Sequence, residues 1–202
     1  MIKNVVLDMG GVCCRWDPDY LAGKLTDDLD EQMIIKKELF GSSFWQDHDK
    51  GILSSNETLE KVLNNVDSKY HQILTYSMNH WYDYFYQFDD MYELVKELKE
   101  KDIPVYLLSN CSLQFDQYSK DRPIFSLMDG LYVSARYQLL KPSKEIYQDF
   151  ASRFNVSVDE CLFVDDMLVN VEGAIKAGMQ SYHYQGDINK FRTYLKDNLT
   201  KF

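Results

Sequence analysis

Short apolar runs that end in polar residues alternate along this chain with longer segments of helical spacing. The first run, residues 5–7, has no polar residue between its apolar ones, which is typical of a strand buried on both faces. Apolar runs recur later in the chain, at residues 103–108, 131–133 and 161–164, and residues 179–184 are predicted to be a last strand. The pattern therefore predicts five short strands.

The segment that follows the first strand shows no convincing strand pattern and is predicted to be helical. Spaced apolar positions predict a helix over residues 25–40. Ser54 and Glu57 have the spacing of a capping box at the start of another helix. Residues 71–88 are dense in aromatic side chains, which we expect to pack between helices.

After this segment the alternation of helices and strands resumes. Apolar positions three or four residues apart predict a helix before the second strand, a helix that ends near Phe154 and a helix that ends at Gly178. Ser157 and Glu160 repeat the capping-box spacing. Strands that alternate with helices are typical of a parallel sheet with helices on both faces.

These patterns divide the chain into two parts. We predict an α/β core domain formed by residues 1–16 and 89–202. Residues 17–88, which are rich in Asp, Asn, Tyr and Trp, are predicted to form a helical domain inserted after the first strand.

Polar residues follow the predicted strands at the points where the strands end. Asp8 follows the first strand, Ser109 follows the second, and Asp165 and Asp166 follow the fourth. The carboxyl ends of parallel strands meet at one rim of the sheet, where α/β proteins bind their ligands. We therefore expect these side chains to lie close together.

The residue types at this rim favour phosphate chemistry. Three carboxylates repel one another unless one binds a proton or a cation holds them together, and oxygen ligands without His or thiolate suit magnesium. Lys141, at a loop-to-helix junction, is the natural countercharge for a phosphate, and Ser109 can hydrogen-bond phosphate oxygens. A carboxylate nucleophile beside magnesium, a hydroxyl and a lysine is what phosphoryl transfer through an aspartyl phosphate requires.

Four stretches resemble the motifs of the haloacid dehalogenase-like (HAD) hydrolase superfamily, and the resemblance covers essentially the whole chain. They are VVLDMGGV at 5–12, YLLSN at 106–110, LLKPSKEIY at 139–147 and LFVDDMLVNVEGA at 162–174. The resemblance implies a Rossmann-like α/β core with a small helical cap. It also implies site roles: Asp8, Ser109 and Lys141 as catalytic residues, Ser109, Asn110 and Lys141 as substrate-binding residues, and Asp8, Gly10, Asp165 and Asp166 as magnesium ligands.

Within this superfamily, a segment of the predicted cap is most similar to the bacterial α-D-glucose-1-phosphate phosphatase group. The segment is FWQDHDKGILS at residues 44–54. The resemblance implies that Trp45, His48 and Asp49 influence the choice of substrate.

One position departs from the pattern of typical phosphatases in the superfamily. They carry a second Asp two residues after the nucleophile as general acid and base, and this chain has Gly10 there. Glycine keeps the backbone carbonyl that the family uses as a metal ligand, and the glucose-1-phosphate phosphatase-like group also has glycine. The proton donor is therefore unassigned, and a carboxylate at Gly10 would partly restore it if the loop tolerates a side chain.

Composition and charge limit which partners and which cellular location we expect for this protein. The 202 residues suffice for one core with a small appended lobe, and the net charge of −10 argues against nucleic acid or an acidic membrane as partner. No apolar run approaches the length of a membrane span, and no signal-peptide pattern is present. The cysteines lack metal-ligand spacing, so we expect buried, reduced thiols in a cytoplasmic protein. They are Cys13, Cys14, Cys111 and Cys161.

The leading hypothesis is a magnesium-dependent phosphatase that acts on a small phosphorylated metabolite such as a sugar phosphate. One alternative is a 2-haloacid dehalogenase, which also uses an Asp nucleophile but needs no metal; the pair Asp165 and Asp166 argues against it. A second alternative is a non-catalytic protein that binds a phosphate ligand on the same scaffold, and Gly10 is the feature in its favour.

Overall fold

Five parallel strands form the centre of the computed structural model, which describes residues 1–199 and 202. They are β1 (Asn4–Leu7), β2 (Val105–Ser109), β3 (Gly130–Val133), β4 (Cys161–Asp165) and β5 (Gln180–His183). The strands lie in the order β3-β2-β1-β4-β5, with β1 paired to β2 on one side and β4 on the other. The predicted α/β fold with a parallel sheet is confirmed, and the predicted strand ends differ from the observed ones by at most two residues.

Helices account for most of the rest of the described chain. In chain order they are α1 (Pro18–Leu25), α2 (Leu29–Ile34), α3 (Ser43–Asp49), α4 (Ser55–Leu63), α5 (His71–His80), α6 (Asp89–Glu100), α7 (Phe115–Tyr118), α8 (Lys144–Arg153), α9 (Leu168–Ala177) and α10 (Ile188–Asn198). A π-helical segment, Ile35–Phe40, follows α2, and short 3₁₀ turns include Trp81–Tyr84, Ser134–Arg136 and Val158–Glu160.

Alternate residues of each central strand face opposite sides of the sheet, and both sides are covered. In β1, Val5 and Leu7 belong to one hydrophobic cluster and Val6 to the other. Helices α6 and α10 contribute to the first cluster, and α8 and α9 contribute to the second. Burial on both faces explains why these strands carry continuous apolar runs rather than alternating ones.

Two local predictions need correction. The helix predicted over residues 25–40 is broken near its start, because Leu25 ends α1 and the Asp28 side chain caps α2 by accepting from the backbone N–H groups of residues 30 and 31. The capping box at Ser54 and Glu57 is confirmed. The second one is wrong: the Ser157 hydroxyl donates to Asp159 at 2.5 Å instead, and only a 3₁₀ turn follows.

The inserted segment leaves and rejoins the sheet through two adjacent stretches of backbone. The N–H of Arg15 donates to the carbonyl of Tyr86, and the N–H of Phe88 donates to the carbonyl of Cys13, both at 2.9 Å. The helices between these stretches pack into the same hydrophobic cluster as one face of the sheet. The division into a core domain and a cap domain at residues 17 and 88 stays a prediction.

Two expectations from composition concern thiols and membranes. All four cysteines are free and buried, as predicted. Within residues 1–199, every helix is too short or too polar to cross a membrane.

Candidate active site

The ends of β1, β2 and β4 bring the sequence-predicted side chains together at one rim of the sheet. Asp8 directly follows β1, and its backbone N–H donates to the carbonyl of Val164 in β4 at 2.9 Å. Ser109 and Asp165 are the last residues of their strands. Because β1 lies between β2 and β4, Asp8 stands between the other two residues.

Lys141 joins two of these carboxylates. Its Nζ lies 2.7 Å from Asp8 Oδ1 and 2.7 Å from Asp165 Oδ2, and the ammonium group is almost fully buried. Burial raises the pKa of Asp8 to about 7, while the charge of Lys141 opposes that rise and the charge of Asp165 adds to it. Burial alone would lower the pKa of Lys141, but the two carboxylates outweigh it and raise that pKa, so the lysine stays charged.

Asn110 explains why Lys141 points into the site. The backbone N–H of Lys141 donates to Asn110 Oδ1 at 2.8 Å, and Asn110 Nδ2 donates to the carbonyl of Lys141 at 3.1 Å. Both ends of the Asn110 amide are therefore used to hold the backbone of Lys141. The predicted role of Asn110 as a substrate ligand stays a prediction, although the residue does line the cavity described below.

Asp165 is fixed by donors that the sequence analysis assigned no role. The backbone N–H of Met167 donates to Asp165 Oδ1 at 2.8 Å, and Asn170 Nδ2 lies 3.1 Å from both carboxylate oxygens. Asn170 lies in the first turn of α9 and is itself held by Tyr147, whose hydroxyl donates to its carbonyl at 2.8 Å. The spacing of five residues between Asp165 and Asn170, across a strand-to-helix turn, was the signal available in the sequence.

Three carboxylates at the rim can supply oxygen atoms to one cation. Asp8, Asp165 and Asp166 each offer an oxygen within 4.8 Å of the others. Asp8 and Asp165 are buried and Asp166 is exposed, so one side of the cluster faces solvent. Partial desolvation of its carboxyl by the surrounding chain, together with the neighbouring charge of Asp165, raises the pKa of Asp166. A set of carboxylates alone, close together and open on one side, fits Mg²⁺, which takes hard oxygen ligands and keeps several waters.

Neither of the two glycines after Asp8 leaves room for a side chain, and the structural reason differs between them. Gly11 has a φ of 71°, and a Cβ there would overlap the carboxylate of Asp166. A Cβ at Gly10 would lie 2.9 Å from Cβ of Trp16, which fills the space beside the backbone. The loop therefore does not tolerate a side chain at Gly10 without displacing Trp16.

A cavity of about 330 Å³ opens above Asp8, Ser109 and Lys141. Aromatic rings from the inserted segment form much of its wall, and they surround Trp16. The ring centroids of Phe40, Trp45, Trp81 and Phe85 lie 5.3 to 6.5 Å from that of Trp16. The predicted packing of aromatic side chains between helices is confirmed, and some of the same rings also face the cavity.

Of the three cap residues expected to influence substrate choice, two line the cavity. Trp45 and Asp49 do so. His48 lies behind Trp45, with ring centroids 5.5 Å apart, and its Nε2 is 3.1 Å from the Ser55 hydroxyl. The sequence analysis also missed Ser134, whose buried hydroxyl donates to the carbonyl of Asp49 at 2.5 Å and accepts from the backbone N–H of Cys111 at 2.8 Å.

Two curated relatives match the chain over most of its length. A sesquiterpene phosphatase of Aspergillus oryzae is 26% identical over 90% of this chain and 89% of its own. A D-ribitol-5-phosphate phosphatase of Bacteroides thetaiotaomicron is 27% identical over 90% of this chain and 91% of its own. The finer resemblance to glucose-1-phosphate phosphatases stays a prediction.

The fold and the family model agree with these matches. An enzyme of the HAD family from Bacteroides thetaiotaomicron, solved with magnesium and inorganic phosphate, superposes with a TM-score of 0.73 at 22% identity, over 93% of this chain and 96% of its own. The model of the haloacid dehalogenase-like hydrolases matches residues 2–178. The chain therefore belongs to the haloacid dehalogenase-like hydrolase family.

Proposed function

We propose that this protein is a magnesium-dependent phosphatase that hydrolyses a small phosphate monoester through an aspartyl phosphate on Asp8. The observation that carries the proposal is the joint position of a buried lysine and three carboxylates at one rim of the sheet. The phosphatase names of the two relatives support it, as does the magnesium and phosphate in the structure of the Bacteroides enzyme.

Asp8 is suited to be the nucleophile. Its backbone is anchored to β4, and Lys141 holds Oδ1, which leaves the other carboxylate oxygen to attack phosphorus. Attack forms the bond from that oxygen to phosphorus and releases the alcohol. Water then cleaves the aspartyl phosphate and regenerates the carboxylate.

Lys141 and Ser109 are suited to neutralise and orient the phosphoryl group. Asp165 binds the ammonium of Lys141, and Asn110 holds the backbone of the same residue. The ammonium therefore does not need to reorganise when negative charge develops on the phosphoryl group. The Ser109 hydroxyl lines the same cavity at the end of β2.

Asp8, Asp165 and Asp166, with the backbone carbonyl of Gly10, are the residues proposed to hold magnesium. When bound, the ion supplies positive charge that offsets the repulsion between Asp8 and an anionic phosphate. The protein contributes the fixed positions of the carboxylates, since Asp165 is held by Met167 and Asn170.

The dimensions of the cavity favour a small phosphorylated metabolite, such as a sugar phosphate. About 330 Å³ is at the lower end of the range for ligand pockets, and its wall combines indole rings with polar side chains such as the amide of Gln46. A flat, apolar wall can stack on the apolar face of a sugar while amides contact hydroxyls.

A single set of assays tests the proposal against its two alternatives. We expect 4-nitrophenyl phosphate to be hydrolysed with magnesium, to lose turnover in excess chelator and to recover it when magnesium is restored. Chloride release from 2-chloropropionate that persists in chelator would identify a dehalogenase. Binding of inorganic phosphate without turnover of any ester would identify a non-catalytic protein.

A further inference from the structure

The leaving oxygen of an alkyl phosphate needs a proton, because an alkoxide is a poor leaving group, and the loop after Asp8 cannot provide one. Gly10 has no side chain, and Trp16 occupies the space into which a side chain would project. A proton donor in this protein must therefore come from elsewhere on the cavity wall.

Few groups on that wall can exchange a proton. The titratable side chains that line the cavity in the described chain are Asp8, Asp49, Cys111, Tyr118, Lys141 and Asp166. Asp8 is the proposed nucleophile, Lys141 is bound to Asp8 and Asp165, and Asp166 belongs to the carboxylate cluster. Three candidates remain: Asp49, Cys111 and Tyr118.

Cys111 and Tyr118 are poorly matched to the task. Burial raises the pKa of both groups well above their ordinary values. The Tyr118 hydroxyl also points toward the sulfur of Met9, at 3.8 Å. A general acid works best when its pKa is near the working pH, and these two are too weak.

Asp49 has a carboxyl group that can donate a proton to the leaving oxygen. It is the last residue of α3, and it enters the cavity from the inserted segment, across from the sheet that carries Asp8. Burial raises the pKa of its carboxyl well above the usual range, although the backbone N–H of Ser112 opposes that rise. The titratable groups that face it are Cys111 and Tyr118, both uncharged because burial also raises their pKa, so neither opposes the rise in the pKa of Asp49.

The backbone of Asp49 is fixed to the sheet. The buried hydroxyl of Ser134, directly after β3, donates to the carbonyl of Asp49 at 2.5 Å. The same hydroxyl accepts from the backbone N–H of Cys111, two residues beyond Ser109. One serine therefore sets the position of Asp49 relative to the loop that follows β2.

We propose, on the basis of the phosphatase function above, that Asp49 is the general acid and base of this protein in place of the residue absent at Gly10. When Asp8 attacks phosphorus, the bond from phosphorus to the leaving oxygen breaks. Its electron pair goes to that oxygen, which takes the proton of Asp49. In the second step, water attacks phosphorus and gives a proton to Asp49, the bond between phosphorus and the Asp8 oxygen breaks with its electron pair returning to the Asp8 carboxylate, and inorganic phosphate leaves.

The test compares leaving groups in Asp49→Asn, with Asp47→Asn as the matched control. Asp47 lies on the same helix and does not line the cavity. We expect Asp49→Asn to change the rate of the first turnover of 4-nitrophenyl phosphate, followed as release of 4-nitrophenol, by less than about threefold, since that leaving group needs no proton. Later turnovers should slow, because the second step uses Asp49 as a base. Turnover of alkyl phosphates should fall by about 10²-fold or more. We also expect the wild-type rate on these esters to fall at alkaline pH as Asp49 loses its proton, and this fall should be absent in Asp49→Asn. Asp47→Asn should match the wild type on both substrates.

Other outcomes distinguish a failure of the Asp49 proposal from a failure of the proposed phosphatase function. If the wild type hydrolyses 4-nitrophenyl phosphate and Asp49→Asn slows the first turnover of both ester classes equally, the role of Asp49 as an acid is wrong. If the wild type hydrolyses no ester, the proposed function itself fails. If Asp49→Asn does not fold, the wild-type rate is measured across esters whose leaving groups differ in pKa. A shallow dependence of rate on leaving-group pKa supports a general acid in the protein, and a steep dependence contradicts it.

Discussion

Asn110 is hydrogen-bonded to both backbone polar groups of Lys141, thirty-one residues later in the chain. The pair joins the end of β2 to the loop before α8, and the side chain of Lys141 then reaches Asp8 and Asp165. One amide therefore sets the position of the buried cation in the site.

The first prediction concerns this pair. Asn110→Ala removes both hydrogen bonds, and we expect kcat to fall by about 10²-fold while KM changes less, because a displaced ammonium stabilises the transition state poorly. Asn110→Asp keeps an acceptor for the Lys141 N–H and should lose less activity. Asn79→Ala, at an exposed position of α5, is the control. Equal kcat in all three variants would show that Lys141 does not depend on Asn110.

The second prediction concerns the loop after Asp8. Gly10→Asp should not rescue turnover of alkyl phosphates, because its Cβ would meet Trp16 at 2.9 Å. We expect a lower melting temperature and lower activity on every ester. Gly23→Ala, in open space on α1, should be neutral or slightly stabilising. A Gly10→Asp variant with improved turnover of alkyl phosphates would contradict both the steric argument and the assignment of Asp49.

The sequence predicted what depends on local pattern and missed what depends on contacts between distant residues. Asp8 and Asp165 were placed correctly because a buried strand that ends in Asp is visible in the sequence. The donors that hold Asp165 and Asp49 were missed. The five-residue spacing from Asp165 to Asn170 was not recognised as a contact, and Ser134, a serine after a strand, carries no signal of its partner Asp49. Asp49 was identified through a resemblance as a residue that influences substrate choice, and its desolvation is a property of the folded cavity alone.

The third prediction tests the metal site without an activity readout. Magnesium alone should raise the melting temperature of the wild-type protein, because a ligand that binds only the folded state stabilises it. Asp166→Asn should reduce this shift and require more magnesium to reach it, since one anionic ligand is lost. Asp159→Asn, which precedes β4 at the opposite rim, should behave like the wild type. An unchanged shift in Asp166→Asn would remove Asp166 from the metal site.

The fourth prediction follows from the burial of His48, which lowers its pKa to about 4 from an ordinary value of 6.5. Between these two values the unfolded chain binds a proton that the folded protein does not, so the free energy of unfolding should fall as pH decreases from about 6.5 to about 4. Urea unfolding at a series of pH values measures this dependence.

The variant His48→Gln separates His48 from the other titrating groups. It should weaken the pH dependence of stability in this window. The same slope in wild type and His48→Gln would show that His48 is protonated as readily in the folded protein as in the unfolded chain.

The central claim is covalent catalysis by Asp8, and the rate of Asp8→Asn measures it most directly. The amide keeps the shape of the carboxyl and removes the nucleophile, so turnover of 4-nitrophenyl phosphate in saturating magnesium should fall by at least about 10³-fold, with the melting temperature near that of the wild type. A folded Asp8→Asn protein that keeps a rate within tenfold of the wild type would contradict the account.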